Sequence, residues 1–99
     1  VNVRFLREAR AELDEAAHHY ESARQDLGDE FEFYAEIDVA LAFIVDFPNV
    51  CPPSSHGTRR KKVRRFPYFL IYAVEGGEIV IAAVPYAGRD PAYWHKRLL

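Results

Sequence analysis

A chain of 99 residues with 49% hydrophobic, 14% aromatic and 28% charged side chains can bury one small core, is too short for two, and is too apolar for intrinsic disorder. No apolar run approaches the roughly 18 to 20 residues that span a bilayer, and no basic segment followed by an apolar one opens the chain, so a soluble cytoplasmic protein without membrane contact is expected. The single cysteine, Cys51, closes no intramolecular disulfide, and no Cys/His spacing matches a zinc site, so neither metal nor cofactor is expected.

The net charge of −2 conceals an asymmetry. Residues 1–50 carry four Lys/Arg against twelve Asp/Glu, a formal −8, whereas residues 51–99 carry nine against three, a formal +6. Such a split points to an anionic partner for the basic half.

In chain order, Val1, Val3 and Phe5 alternate with Asn2 and Arg4, the period of a short half-buried strand. The period then lengthens. Leu6, Ala9, Leu13, Ala16, Tyr20, Ala23 and Leu27 recur at three- and four-residue steps between acidic residues, predicting an amphipathic helix that Gly28 stops at its C′ position. Asp29, with Glu32 three residues on, predicts the cap of a second helix. Its body, from Phe33 and Tyr34 through Ile37, Ala40, Leu41, Ile44 and Val45 to Phe47, carries an apolar arc wider than one core face requires, so part of it should meet a partner. Pro48 ends the helix, and the stretch to Gly57 reads as a loop.

Three strands follow, at about Thr58 to Arg65, Tyr68 to Glu75 and Glu78 to Val84. Gly76-Gly77 predicts a tight hairpin turn, because both positions tolerate positive φ. The last two strands are apolar on both parities and should be covered on both faces. Tyr93 and Trp94 either close the core from the C-terminus or offer a stacking surface beside Arg89. The order β-α-α-β-β-β predicts an α+β fold over residues 1–99 as one domain, with a helical hairpin on one face of a small, mostly antiparallel sheet.

Residues 59–65 place six cations in seven positions, Arg59-Arg60-Lys61-Lys62-Val63-Arg64-Arg65. In a strand Arg60, Lys62 and Arg64 share one face, a row suited to phosphates or to a carboxylate-rich protein segment; the plainer reading is an edge strand guarded against aggregation. RNA cleavage would need a base, an acid and cations on the phosphate. Lys62 and Arg64 could hold the phosphate and Tyr86, Tyr93, His56 or His95 could move protons, although no fixed spacing links them. His18 and His19 point about 100° apart on a helix and cannot chelate one metal as an i, i+4 pair would. Cys51 has no basic neighbour to activate it.

Val3-Arg4-Phe5, the helix bearing Ala11-Glu12-Leu13-Asp14-Glu15-Ala16 and Tyr20, Gly28-Asp29-Glu30-Phe31, Phe47-Pro48, Arg64-Arg65-Phe66-Pro67-Tyr68-Phe69-Leu70-Ile71-Tyr72 and Arg89-Asp90-Pro91-Ala92-Tyr93-Trp94 together resemble the RelE/ParE toxin superfamily of type II toxin–antitoxin operons. The resemblance spans nearly the whole chain in the right order. It implies the same β-α-α-β-β-β fold and a bacterial cytoplasmic toxin neutralised by a cognate antitoxin in a higher-order hetero-oligomer. RelE-like members cut mRNA on the ribosome, and ParE-like members inhibit DNA gyrase.

Against the RelE pattern the chain keeps Arg60 and Lys62 at catalytic-cation positions and Tyr93 at the C-terminal tyrosine, has Arg89 close to the second arginine, and carries Phe69 and Ala87 where arginines are expected. The alanine-rich helical hairpin and the Arg-Asp-Pro-Ala-Tyr-Trp ending are more similar to ParE, although Pro85-Tyr86-Ala87-Gly88 replaces that branch's histidine- and arginine-containing run. The expectation is a ParE-like, plasmid-stabilising toxin that binds gyrase through Arg89, Tyr93 and Trp94. Its ParD-like antitoxin should meet Tyr34, Leu41 and Val45 with an amphipathic helix and Arg60, Lys62 and Arg64 with acidic or strand-forming residues. The alternatives are a RelE-like endonuclease using Arg60, Lys62, Arg89 and Tyr93, or a degenerate toxin that only binds antitoxin.

Overall fold

The computed structural model describes residues 2–23 and 28–98. Strand β1 (Asn2–Phe5) leads into helix α1 (Arg7–Ala23), helix α2 (Gly28–Asp46), strands β2 (Arg59–Lys62), β3 (Phe69–Glu75) and β4 (Glu78–Ala83), and a C-terminal 3₁₀ segment (Pro91–Leu98). The expected end of the first helix at Leu27 and the side chain of the expected Asp29 cap lie outside the described residues. Helix α2 begins at Gly28, the residue expected to stop the first helix and one ahead of the expected Asp29 cap, and β2 stops at Lys62, three residues short of Arg65.

The four strands lie in the order β1-β4-β3-β2. β3 pairs antiparallel with β4 and with β2, while β1 runs parallel to β4, so the sheet is mixed and mostly antiparallel. Gly76 and Gly77 both have positive φ, 58° and 78°, as the β3–β4 hairpin requires. The parallel pairing brings the chain's beginning beside its last strand: Leu6 N–H donates to the Ile81 carbonyl at 3.0 Å as the chain turns into α1.

The helix period built the core as the sequence implied. Ala9, Leu13, Ala16 and Ala17 of α1 and Phe33, Ile37, Ala40 and Ile44 of α2 are buried against Leu70, Tyr72, Ile79 and Ile81 of the sheet. At the C-terminal end of β3's partner strand the register slips: Tyr72 faces Ile81 but Ile71 faces Ala83, leaving Ala82 as an extra, unpaired residue, a β-bulge. The bulge turns Ala83 onto the face away from the helices. There Ile71, Ala83 and Trp94 form a second cluster with Phe69 and Tyr93 packed against it. Both faces of β3 and β4 are therefore covered, by the helices on one side and the 3₁₀ segment on the other.

Candidate functional site: a basic hairpin, an open helix face and a C-terminal cleft

The cationic run does not form a continuous row. Arg60 and Lys62 pair opposite Ile71 and Phe69 and are exposed, whereas Arg64 lies past the end of β2 in a turn closed by Val63 N–H to the Tyr68 carbonyl at 2.9 Å. Arg65 enters that turn at φ 74°, a left-handed conformation that bends the chain toward α2. The expectation that Arg64 continues the row is thereby corrected. Its guanidinium reaches Glu36 at 3.1 Å and that of Arg65 reaches Glu32 at 3.2 Å.

The remaining cations are also engaged, with one exception. Arg59 donates to the Cys51 carbonyl at 2.8 Å. Lys61 lies 4.3 Å from the Phe43 ring centroid, and the Lys62 ammonium donates to the carbonyls of Val63 and Phe66. Arg60 makes no side-chain hydrogen bond or ion pair among the described residues. Two cations of the run, Arg64 and Arg65, thus meet carboxylates of the acidic first half.

On α2 the open face is out of phase with the residues singled out from sequence. Tyr34, Leu41 and Val45 are half-buried and packed on the core, and the Tyr34 hydroxyl donates to Asp14 at 3.0 Å. Burial, followed by the Asp14 hydrogen bond and charge, raises the Tyr34 phenol above its ordinary range. The exposed apolar residues are Phe31 at 77%, Val39 at 61% and Phe47 at 50%. Phe31, Ala35 and Asp38 line a shallow groove of about 300 Å³ with Glu30 and Tyr34. The signal existed in the sequence: once Phe33, Ile37, Ala40 and Ile44 are taken as the core stripe, Phe31, Ala35, Asp38, Val39 and Ala42 fall on the opposite side of the helix.

A third feature lies beyond the sheet face covered by the 3₁₀ segment. Arg60 and Arg89 line one cleft of about 300 Å³ with Phe69, Tyr86, Pro91 and Trp94 among its walls. Trp94 is only 1% exposed, so its expected place in a target-facing surface is corrected: it is a core residue, large enough to seal the sheet from below. Tyr86, 52% exposed, supplies the accessible aromatic surface.

The Arg89 guanidinium stacks 3.6 Å from the Tyr93 ring centroid and that of Arg97 lies 5.0 Å from it. The Tyr93 hydroxyl donates to Glu12 at 3.1 Å. Burial first, then the charge and hydrogen bond of Glu12, raise the Tyr93 phenol far above its ordinary range. Glu12 also accepts the Val84 N–H at 2.8 Å and pairs with Arg97 at 2.6 Å. No spacing rule links a carboxylate on the first helix to the chain's end, and Glu12 and Arg97 went unnoticed in the sequence for that reason.

Of the residues proposed for phosphate chemistry, Arg60, Tyr86 and Arg89 are therefore brought together and left available. Lys62 is bound to backbone carbonyls, and Tyr93 is held protonated. His56 and His95 stack on one another at 4.0 Å, with His95 Nε2 within 3.0 Å of Ser55 Oγ, and neither lines the cleft. Among the described residues no group of three His, Cys, Asp or Glu could hold a metal ion, and no helix is long and apolar enough to cross a membrane.

Comparison with solved structures aligns 88% of this chain with 96% of a chain from the chromosomal ParDE toxin–antitoxin system of P. aeruginosa, at a TM-score of 0.75 and 22% identity. That likeness concerns the fold. No curated protein matches the sequence. The family model for the ParE toxin of the type II toxin–antitoxin system parDE matches residues 3–91, which takes in both α-helices, the four strands but for Asn2, and the Arg89 cleft but for Trp94. On a match of that extent the chain belongs to the ParE toxin family, and it is a ParE-like toxin of a type II toxin–antitoxin system.

Proposed function

We propose that this toxin acts by binding and blocks DNA gyrase in the bacterial cytoplasm, its target meeting the C-terminal cleft at Arg60, Tyr86 and Arg89, with Tyr93 supporting Arg89. The observation that carries the reading is the state of the cleft: two available cations and the exposed ring of Tyr86, with Tyr93, the tyrosine at the RelE-like C-terminal position, locked to Glu12. General acid–base catalysis needs a group whose pKa lies near the working pH. A phenol raised by burial and an adjacent carboxylate is a poor acid and, being protonated, no base.

A ParD-like antitoxin silences the toxin in a hetero-oligomer. It supplies an amphipathic helix to the α2 face of Phe31, Ala35 and Val39, with its edge residues beside Tyr34, Leu41 and Val45, and acidic or strand-forming residues to Arg60 and Lys62. The acidic residues Asp38 and Asp46 on the open side of α2 favour a basic rim on that helix. The test is DNA supercoiling by purified gyrase, with antitoxin-free protein titrated in and antitoxin added back. Loss of supercoiling with rescue by antitoxin is expected. Undiminished supercoiling at an excess of folded protein, together with RNA cuts on ribosomes that vanish with Arg60→Ala and Arg89→Ala, would replace this reading by the endonuclease one.

A further inference from the structure

Glu12 stands on α1, far in sequence from the C-terminal cleft, yet its carboxylate holds the loop that frames the cleft at both ends. One oxygen, Oε1, accepts the Val84 N–H at 2.8 Å, where the chain leaves β4, and the Tyr93 hydroxyl at 3.1 Å, where the 3₁₀ segment has begun. The other, Oε2, accepts from Arg97 Nη2 at 2.6 Å, while Arg97 Nη1 donates at 3.0 Å to the carbonyl of Ala82, the bulged residue of β4. The carboxylate thus has three donors, and the carbonyl freed by the bulge has one. Glu12 and Arg97 are each 17% exposed in their side chains, so the pair is largely shielded from water and its geometry is strongly held.

Between the two anchor points lie Tyr86 and Arg89. The Arg89 guanidinium carbon lies 3.6 Å from the Tyr93 ring centroid, a cation–π contact that uses none of its N–H donors, and these can fork onto an oxyanion. A shift of Tyr93 would carry Arg89 with it. Every group in the cluster comes from α1, the end of β4 or the C-terminal segment, and none comes from α2 or β2.

We infer that Glu12 is a positioning residue for target recognition: by holding Val84 and Tyr93 it fixes the loop that presents Tyr86 and Arg89, so that its loss separates target inhibition from antitoxin binding. The inference rests on the gyrase reading above. A residue with this role acts through others, and nothing in the spacing of the sequence announces it.

The experiment uses the full chain with Glu12→Gln, which keeps the shape and one acceptor oxygen but turns an amide N–H toward Arg97. The concentration that inhibits supercoiling is expected to rise about tenfold, equivalent to about 1.4 kcal/mol of lost preorganised contact, with antitoxin affinity unchanged within about twofold. In the same variant the Tyr93 phenol, read by ultraviolet difference titration against Tyr93→Phe, should ionise at lower pH, and the Val84 amide should exchange faster with deuterium. Tyr93→Phe keeps the ring under Arg89 and removes only the hydroxyl, so it should lose less inhibition, and combining it with Glu12→Gln should be less than additive.

Inhibition by Glu12→Gln at the parent concentration would overturn the inference, as would a parallel loss of antitoxin affinity. If Glu12→Gln fails to fold, Tyr93→Phe decides: weakened inhibition with antitoxin affinity retained supports the clamp, and parent-like inhibition overturns it. If the parent protein leaves gyrase untouched, the gyrase reading fails on its own. The clamp is then decided by Val84 exchange and Tyr93 ionisation, where faster exchange and earlier ionisation support it and unchanged values overturn it.

Discussion

Trp94 shows how one residue changes meaning between sequence and structure. Beside Arg89 and Tyr93 it reads either as closure of the core or as a stacking surface for a target, and the structure takes the first, sealing it against Ile71 and Ala83. Truncation to alanine should cost about 3 to 5 kcal/mol, the range for removing a large buried aromatic, and urea denaturation will measure it. Arg97 belongs to the same scale. Removing it leaves Glu12 largely buried with a charge lacking its cation, and Arg97→Ala should destabilise by about 3 kcal/mol in the same experiment, since breaking such a pair strands its partner.

Tyr72 and Tyr93 make a further prediction at the residue scale. Burial first, then neighbouring Cys51 for Tyr72 and Glu12 for Tyr93, raise both phenols from an ordinary value of 10.0. The folded protein therefore keeps these protons more tightly than the unfolded chain, and the corresponding stability is complete below about pH 10 and lost as pH rises through the folded values. Thermal stability should be insensitive to these two groups from neutral pH to about pH 10 and fall above it. Tyr93→Phe should flatten the alkaline fall; an equally steep fall in that variant would assign it to other groups.

At the scale of elements, α2 is the informative case. Its apolar arc was legible as too wide for one core face, and the conclusion that part of it meets a partner followed from that width alone. Tyr34, Leu41 and Val45, the residues expected at the partner, are half-buried at the flank of the core, because phase depends on which side of the helix meets the sheet. Phe31 and Val39 take the exposed side. Replacing Phe31 and Val39 by serine should weaken antitoxin binding by about tenfold or more while changing stability by no more than about 0.5 kcal/mol each, as expected for contacts made only in the complex. Calorimetric titration with antitoxin, alongside denaturation of the free toxin, separates the two effects.

β2 makes the complementary point. Six cations in seven residues read as one strand with one charged face, and the strand ends after Lys62. The turn that follows sends Arg64 and Arg65 back to Glu36 and Glu32. Glu36 is only 8% exposed, and its second oxygen, Oε1, has no hydrogen-bond partner among the described residues, so Arg64 is the counter-charge that makes its burial tolerable. Arg64→Ala should therefore cost more, about 1 to 3 kcal/mol, than Arg65→Ala, whose exposed pair is worth about 0 to 1 kcal/mol.

For the whole molecule, the order of elements, the hydrophobic period of both helices, the two-face burial of β3 and β4 and the hairpin at Gly76-Gly77 were all determined by sequence. Each depends on local steric preference or on a periodic pattern that only one secondary structure can bury. The family resemblance was legible for a related reason, since its motifs lie on those same strands and turns. The tertiary structure alone decided that Arg64 and Arg65 turn back to Glu36 and Glu32, which of its two readings Trp94 takes, and that Glu12 of α1 meets Val84, Tyr93 and Arg97. These contacts join residues separated by most of the chain, and their partners are chosen by the parallel β1–β4 pairing, the Ala82 bulge and the return of the C-terminal segment across the sheet. Composition and spacing encode which side chains seek water, a hydrogen bond or an opposite charge; only the folded path of the backbone determines which of them meet.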